Sequence, residues 1–153
     1  MLGWKNRAET ALMAIDMARL QRRLAAKEDK RNKPYKDTEG KLTIGIGRNL
    51  DDKGLKDSEI AFLLANDIDD AITDAIAVVH RYQSLDGVRQ EVVIEMAFNL
   101  GRARLAGFKK MLAAIGNQQF DLAATEMLDS KWAKQVKGRA QELAKAMRTG
   151  TWG

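Results

Sequence analysis

Apolar positions recur with helical spacing from about residue 9 to residue 27, where Leu12, Ile15, Leu20 and Leu24 stand among Ala, Met and charged residues. That spacing predicts one amphipathic helix. It stops in Lys27-Glu28-Asp29-Lys30-Arg31-Asn32-Lys33-Pro34, where charge, Asn and the chain's single proline predict a loop, so Glu28 is expected at or just past a helix end. Beyond Tyr35 the period falls to two: Leu42, Ile44 and Ile46 point one way, and Thr43, Gly45 and Gly47 the other. This predicts a half-buried strand. Asp37-Thr38-Glu39-Gly40 is a turn signature, which makes Tyr35-Lys36 and residues 41–46 the arms of a hairpin. A face of Thr and Gly either leaves backbone open to a ligand or is a poorly packed edge, and periodicity does not choose.

After Asp51-Asp52-Lys53-Gly54 the pattern is helical almost to the last residue. Asp57 or Ser58 is placed to cap a helix that carries Ile60, Leu63, Leu64, Ile68, Ile72 and Ile76 on one side, long enough to join two lobes. Breaks follow at Ser84-Leu85-Asp86-Gly87, Gly101, Ala106-Gly107, Gly116-Asn117, Asp129-Ser130 and Gly138, dividing the remainder into short helices. The expected fold is α+β and mostly α. A small β-hairpin lobe (about 28–56), a connecting helix (about 57–79) and a helical lobe (about 80–153, joined by the helix of about 9–27) form a single domain over residues 1–153. No internal repeat, low-complexity tract or linker interrupts it.

Composition narrows the chemistry. The 153 residues, 45% hydrophobic, can build an adequate core, and with no Cys that core must hold by packing. Thiol nucleophiles and Cys-based metal sites are excluded, and a single histidine, His80, leaves no multi-histidine site. His80 itself is expected near the C-terminus of the long helix. Asp67, Asp69 and Asp70 lie on one helix without complementary ligands, so no metal and no cofactor is expected. The net charge of +5 favours anionic partners. Lys and Arg are spread along the chain and interleaved with acids, however, and no concentrated recognition helix for nucleic acid is expected. The first 20 residues are interrupted by Lys5, Arg7, Glu9, Asp16 and Arg19, too charged for a signal peptide or membrane span. The expectation is a protein with no stable membrane insertion and no encoded export route.

Carboxylate chemistry is the economical option. Glycosidic cleavage needs a protonated carboxyl at the leaving oxygen and, in most enzymes, a second carboxylate that attacks the sugar or activates water. Glu28 at a helix end, Asp37 in the turn nine positions on, and Thr43 six further on the Gly-bearing face could meet at one spot. Among 21 acids that spacing alone selects nothing.

The residues of the hairpin carry more. Tyr35-Lys36-Asp37-Thr38-Glu39-Gly40-Lys41-Leu42-Thr43-Ile44-Gly45-Ile46-Gly47 resembles the active-site hairpin of the phage-type lysozymes (endolysins), with Glu28, Asp37 and Thr43 at the spacing of the family's catalytic Glu, Asp and Thr. Arg31 matches a basic residue between the first two. Similar segments continue in order at Asn66-Asp67-Ile68-Asp69, Ser84-Leu85-Asp86, Met96-Ala97-Phe98-Asn99-Leu100-Gly101, Ala106-Gly107-Phe108, Ser130-Lys131-Trp132 and Arg148-Thr149-Gly150-Thr151-Trp152, covering roughly residues 18–152.

The resemblance implies a two-lobed lysozyme that hydrolyses the β-1,4 bond between N-acetylmuramic acid and N-acetylglucosamine in bacterial peptidoglycan with inversion, acting in cell-wall lysis. Glu28 would be the proton donor, with Asp37 and Thr43 positioning the water. Arg139 would be the cation facing Glu28, and Arg48 would pair with Asp67. Substrate-contact positions fall on Phe98, Asn49, Met111 and Glu126, the last three with residue types that depart from the family pattern. Phe98 also reads as a core aromatic on its helix. Trp132 and Trp152 are expected to be buried, and neither periodicity nor the family gives Trp4 a role. The small lobe is shorter than is usual in the family, and residues 1–17 extend the chain at its start. The enzyme is expected to be a monomer that waits in the host cytoplasm until a membrane lesion releases it to the wall. The competing readings are a lytic transglycosylase, which the Asp37 and Thr43 pair argues against, an inactive lysozyme-like protein and a non-catalytic basic binding module.

Overall fold

The computed structural model describes residues 14–153. Trp4, Leu12 and the beginning of the helix expected from about residue 9 lie outside them. Contacts divide the chain into two compact units, residues 1–59 and residues 60–153.

In the first unit, α1 (Met17–Lys27) begins at Asp16, whose carboxylate accepts the Arg19 N–H at 2.9 Å. Such a cap satisfies a donor that the helix itself leaves open. The helix ends where its pattern predicts: Glu28 is the C-cap, its backbone extended, and its N–H donates to the Leu24 carbonyl at 2.8 Å. The expected loop is short, because β1 (Arg31–Lys36) already pairs antiparallel with β2 (Leu42–Gly45), which pairs with β3 (Arg48–Asn49). Pro34 signalled a loop, yet it sits in an outer strand of the β1-β2-β3 sheet, within a register shift between Arg31 and Tyr35. A missing N–H is tolerated at such edges and bulges.

The period-two reading needs two corrections. β2 stops at Gly45, and Ile46 with Gly47 forms the turn to β3, leaving Ile46 exposed rather than on the buried face. Thr43, assigned to the open face, is only 4% exposed, the one buried polar side chain among the described residues.

The long helix α2 (Asp57–Val78) opens in the first unit. Neither Asp57 nor Ser58 supplies the cap expected of it; Glu59 reaches back and accepts the Lys56 N–H at 2.8 Å while its own N–H bonds the Lys56 carbonyl. That is one half of a capping box. In the second unit α2 buries Ala71 and Ala75, whereas Ile60, Leu63, Leu64, Ile68 and Ile76 are exposed.

A short 3-10 turn (Tyr82–Ser84) leads to α3 (Gly87–Leu100), α4 (Arg102–Ala106), α5 (Lys109–Gly116), α6 (Phe120–Leu128), α7 (Lys131–Val136) and α8 (Gly138–Thr149). The breaks fall where the sequence placed them. Asp86 caps α3 and Ser130 caps α7, each accepting an N–H three residues on. The core is built from Met96, Met111, Met127 and Met147 with Leu105, Leu143 and a series of alanines, and α6 packs closely on α5 and α8. Trp132 is buried as expected; its Nε1–H donates to Asn99 Oδ1 at 2.7 Å, and its ring meets Phe108 edge-on. Trp152 is not buried. It lies past Gly150, which ends α8, and its Nε1–H donates to Glu91 at 2.6 Å. Arg89, which no pattern singled out, stacks 3.8 Å from the Phe120 ring centroid and donates to the Met147 and Arg148 carbonyls. It thereby ties the end of α8 to α3 and α6.

Candidate active site

The first unit carries Glu28, Asp37 and Thr43, and the three are held in different ways. Asp37 is fixed by its own turn: Oδ1 accepts the N–H groups of Glu39 and Lys41, both at 2.8 Å. This is the Asx geometry that a short acidic side chain offers a turn. With Oδ1 occupied twice, Oδ2 is the atom left to face a ligand. Thr43 Oγ1 donates to the Lys41 carbonyl at 3.0 Å, and the same carbonyl accepts the Asp37 N–H at 2.9 Å. The Lys41 peptide group therefore positions both residues, a role its side chain gives no sign of in the sequence.

Glu28 contrasts with Asp37. Its backbone closes α1, but among the described residues its carboxyl takes no hydrogen bond, and it lies where a side chain on Gly47 would begin. Arg31 stands between the two acids in sequence, bonded to Asp29 at 3.2 Å and stacked 4.5 Å from the Tyr35 ring centroid. β-Pairing sets Tyr35 opposite Thr43.

Two expectations in this unit are corrected. Arg48 pairs with Glu59 at 2.8 Å and donates to the Gly54 carbonyl at 3.2 Å, rather than pairing with Asp67. Glu59 stands on the first turn of α2, facing the loop that β3 feeds, and it already serves the helix cap. The Arg48 hydrogen bond, followed by the Lys56 N–H, lowers the Glu59 pKa to about 2. Asn49 was expected to touch substrate, but both ends of its amide are engaged: Oδ1 accepts the Asp52 N–H and Nδ2 donates to Asp52 Oδ2. Its work is to shape the loop after β3. Asp52 also bonds Lys41 Nζ at 3.0 Å, which lowers the Asp52 pKa and raises that of Lys41. Asp51 accepts the Leu42 N–H at 2.7 Å. These acids were indistinguishable from surface charge in the sequence, because their partners, side chains of Lys41, Asn49 and Arg48 and the backbone N–H of Leu42, are brought near only by the fold.

The second unit carries the remaining candidates. Arg139 is exposed in the first turn of α8. Phe98 is 45% exposed, which settles its open reading against the core, and it lines a cavity of about 260 Å³ with Asp67, Asp70 and Asp74. Asp67 is exposed there. Among the described residues no group of His, Cys, Asp or Glu is arranged to hold a metal ion. Glu126 and Met111 share the wall of a larger cavity of about 560 Å³, with Arg104, Lys109, Lys110 and Lys131 around it. Met111 is only 1% exposed, so contact through its side chain is not what this position offers. It lies on the inner face of α5, where a flexible thioether fills core space. Among the described residues no helix is long and apolar enough to cross a membrane.

Comparison with known proteins identifies the family. The family model described as phage lysozyme matches residues 25–148, which span Glu28, Asp37 and Thr43 and nearly all of the helical unit. A probable T4-type lysozyme of Dictyostelium discoideum is 30% identical over 146 residues, covering 76% of this chain and 86% of the relative. A second from the same organism is 28% identical over the same shares. The pre-baseplate central spike protein Gp5 of Enterobacteria phage T4 is 29% identical over 164 residues, which cover 89% of this chain but 28% of that longer protein. With an acid at a helix end, an Asx-held aspartate and a buried threonine in a matched α+β framework, the chain belongs to the phage lysozyme family and is a glycoside hydrolase of the lysozyme type, acting on peptidoglycan.

Proposed function

We propose that the chain hydrolyses the β-1,4 bond between N-acetylmuramic acid and N-acetylglucosamine by single displacement with inversion. Glu28 donates the proton to the leaving oxygen, and Asp37 with Thr43 aims the attacking water. The observation that carries this reading is the asymmetric use of Asp37. Two backbone donors on Oδ1 pin the plane of the carboxylate, leaving Oδ2 as an acceptor for one proton of water. Thr43 supports it: the hydroxyl hydrogen is committed to the Lys41 carbonyl, which turns the oxygen's lone pairs toward any water beside it. A lytic transglycosylase needs neither group, since the substrate's own hydroxyl attacks.

On the helical unit, Phe98 and Glu126, which line separate cavities, are side chains whose chemistry suits a glycan. An exposed aromatic face suits the apolar face of a sugar ring, and Glu126 accepts from sugar hydroxyls or amides.

Digestion of purified peptidoglycan tests the mechanism, with products resolved by mass and anomeric configuration followed by NMR before mutarotation. Hydrolysis with inversion gives reducing-end muropeptides released as the α-anomer, and Glu28→Gln stops their release. Anhydro products move the assignment to a transglycosylase, and a β-anomer makes Asp37 a nucleophile.

A further inference from the structure

Gly47 sits in the turn between β2 and β3 with φ +74, and a Cβ built on it would stand 3.3 Å from both Cδ and Oε2 of Glu28 and 3.6 Å from its Cγ. The protein's own acid thus lies against this turn, whereas a Cβ on Gly45, at the end of β2, would meet nothing within 4 Å. Resting on the reading of Glu28 as proton donor, we infer that Gly47 is a positioning residue for that donor: its lack of a side chain creates the seat in which the carboxyl lies.

Two further observations carry this. Among the described residues the Glu28 carboxyl has no hydrogen bond, unlike that of Asp37, so contact is what limits its three side-chain torsions. Gly47 is itself held, since Ile44 and Arg48 pair across its turn and Arg48 is anchored to Glu59 and the Gly54 carbonyl. An added Cβ would therefore move the carboxyl rather than the turn. At 3.3 Å the carboxyl must give way by a few tenths of an ångström, and since a displacement of about 1 Å costs on the order of 100-fold in rate, that figure is the ceiling of the expected loss.

Any residue at φ +74 is also strained, and the experiment separates the two effects. Gly54, in the same unit, has φ +65, and a Cβ there meets only the Leu50 carbonyl at 3.9 Å. Peptidoglycan hydrolysis is measured for the parent, Gly47→Ala, Gly54→Ala and Glu28→Gln. Both alanine variants lower Tm by similar amounts, because each places a side chain on left-handed backbone. Only Gly47→Ala loses kcat, by roughly 10- to 100-fold with KM little changed. Gly47→Asn brings the same Cβ with a residue that tolerates left-handed backbone, so it must reproduce the kcat loss even if the alanine variant unfolds. If Gly47→Ala or Gly47→Asn matches Gly54→Ala in kcat and KM while Glu28→Gln is inactive, the inference falls and the assignment of the acid stands. If Glu28→Gln remains active, the assignment falls and takes the inference with it.

Discussion

The two units are built on opposite principles. Every buried hydrophobic residue among those described lies at or beyond Ala71, in the helical unit, where methionines, leucines and alanines close on one another without polar intrusion. The described part of the β-bearing unit buries Thr43 alone and holds its shape with carboxylates. Asp37 organises one turn, Asp51 bonds the start of β2, Asp52 gathers Lys41 and Asn49, and Glu59 joins Arg48 to the cap of α2. Packing energy is non-directional, whereas a hydrogen bond to a carboxylate fixes an angle. The proposed water-positioning pair sits where angles are fixed, and most of the burial that stabilises the chain lies elsewhere. Changes in the first unit should therefore alter rate more than stability, and changes in the second should do the reverse.

The sharpest break of that contrast is at Asp37. Asparagine keeps the oxygen that accepts the Glu39 and Lys41 N–H groups, so Asp37→Asn should leave Tm nearly unchanged. Loss of the negative charge should lower kcat by roughly 10²- to 10⁴-fold, read from initial rates of peptidoglycan digestion. A large fall in Tm would mean that the charge, rather than the oxygen, builds the turn. Next in size, Met96→Ala empties a fully buried site in α3 and should cost roughly 2–5 kcal/mol in denaturant unfolding, with kcat retained at temperatures where the variant is folded.

A smaller effect of opposite sign is expected at Lys137, which links α7 to α8 with φ 48 and ψ −111, a backbone favourable to glycine alone. Lys137→Gly should raise stability by about 1 kcal/mol once the extra entropy of glycine in the unfolded chain is set against the strain relieved. An unchanged or lower unfolding midpoint would show that the strain is carried elsewhere.

The helical unit was the more legible in sequence because its signals are local. A glycine, or an Asp or Ser cap, marks each break whatever surrounds it, as at Asp86, Gly107 and Ser130. The β-bearing unit yielded its acids only through likeness to a family, since nothing in composition separates Asp37 from Asp57. The misses share a cause. Arg48 was assigned the wrong carboxylate, Asn49 a ligand instead of Asp52, and Ile46 the wrong face, because each depends on how a turn of two or three residues bends and which backbone donors it presents. Met111 and Trp152 failed for the converse reason: position in a family pattern says where a side chain starts, and packing decides whether it is covered.

The smallest predicted effect examines the carboxylate framework directly. Glu59 is ordinarily half-protonated near 4.5 but is held at about 2 by Arg48 and the Lys56 N–H. A depressed carboxyl contributes stability fully above its unfolded pKa and loses it as pH falls through the folded value, so the contribution should fade between about 4.5 and about 2. The pair is partly exposed and its contribution correspondingly modest. Amide hydrogen exchange can isolate it, because the Leu42 and Leu50 N–H groups report on the sheet while those of α8 report on the helical core. In the parent protein, acidification through that window should lower protection at Leu42 and Leu50 before it touches α8. In Glu59→Gln protection of the sheet should already be lower at neutral pH and should change less on acidification, so that the two proteins converge near pH 2. Parallel slopes would shift the acid sensitivity to Asp52, whose lowered pKa depends on Lys41, and Lys41→Gln would then be the variant that flattens it.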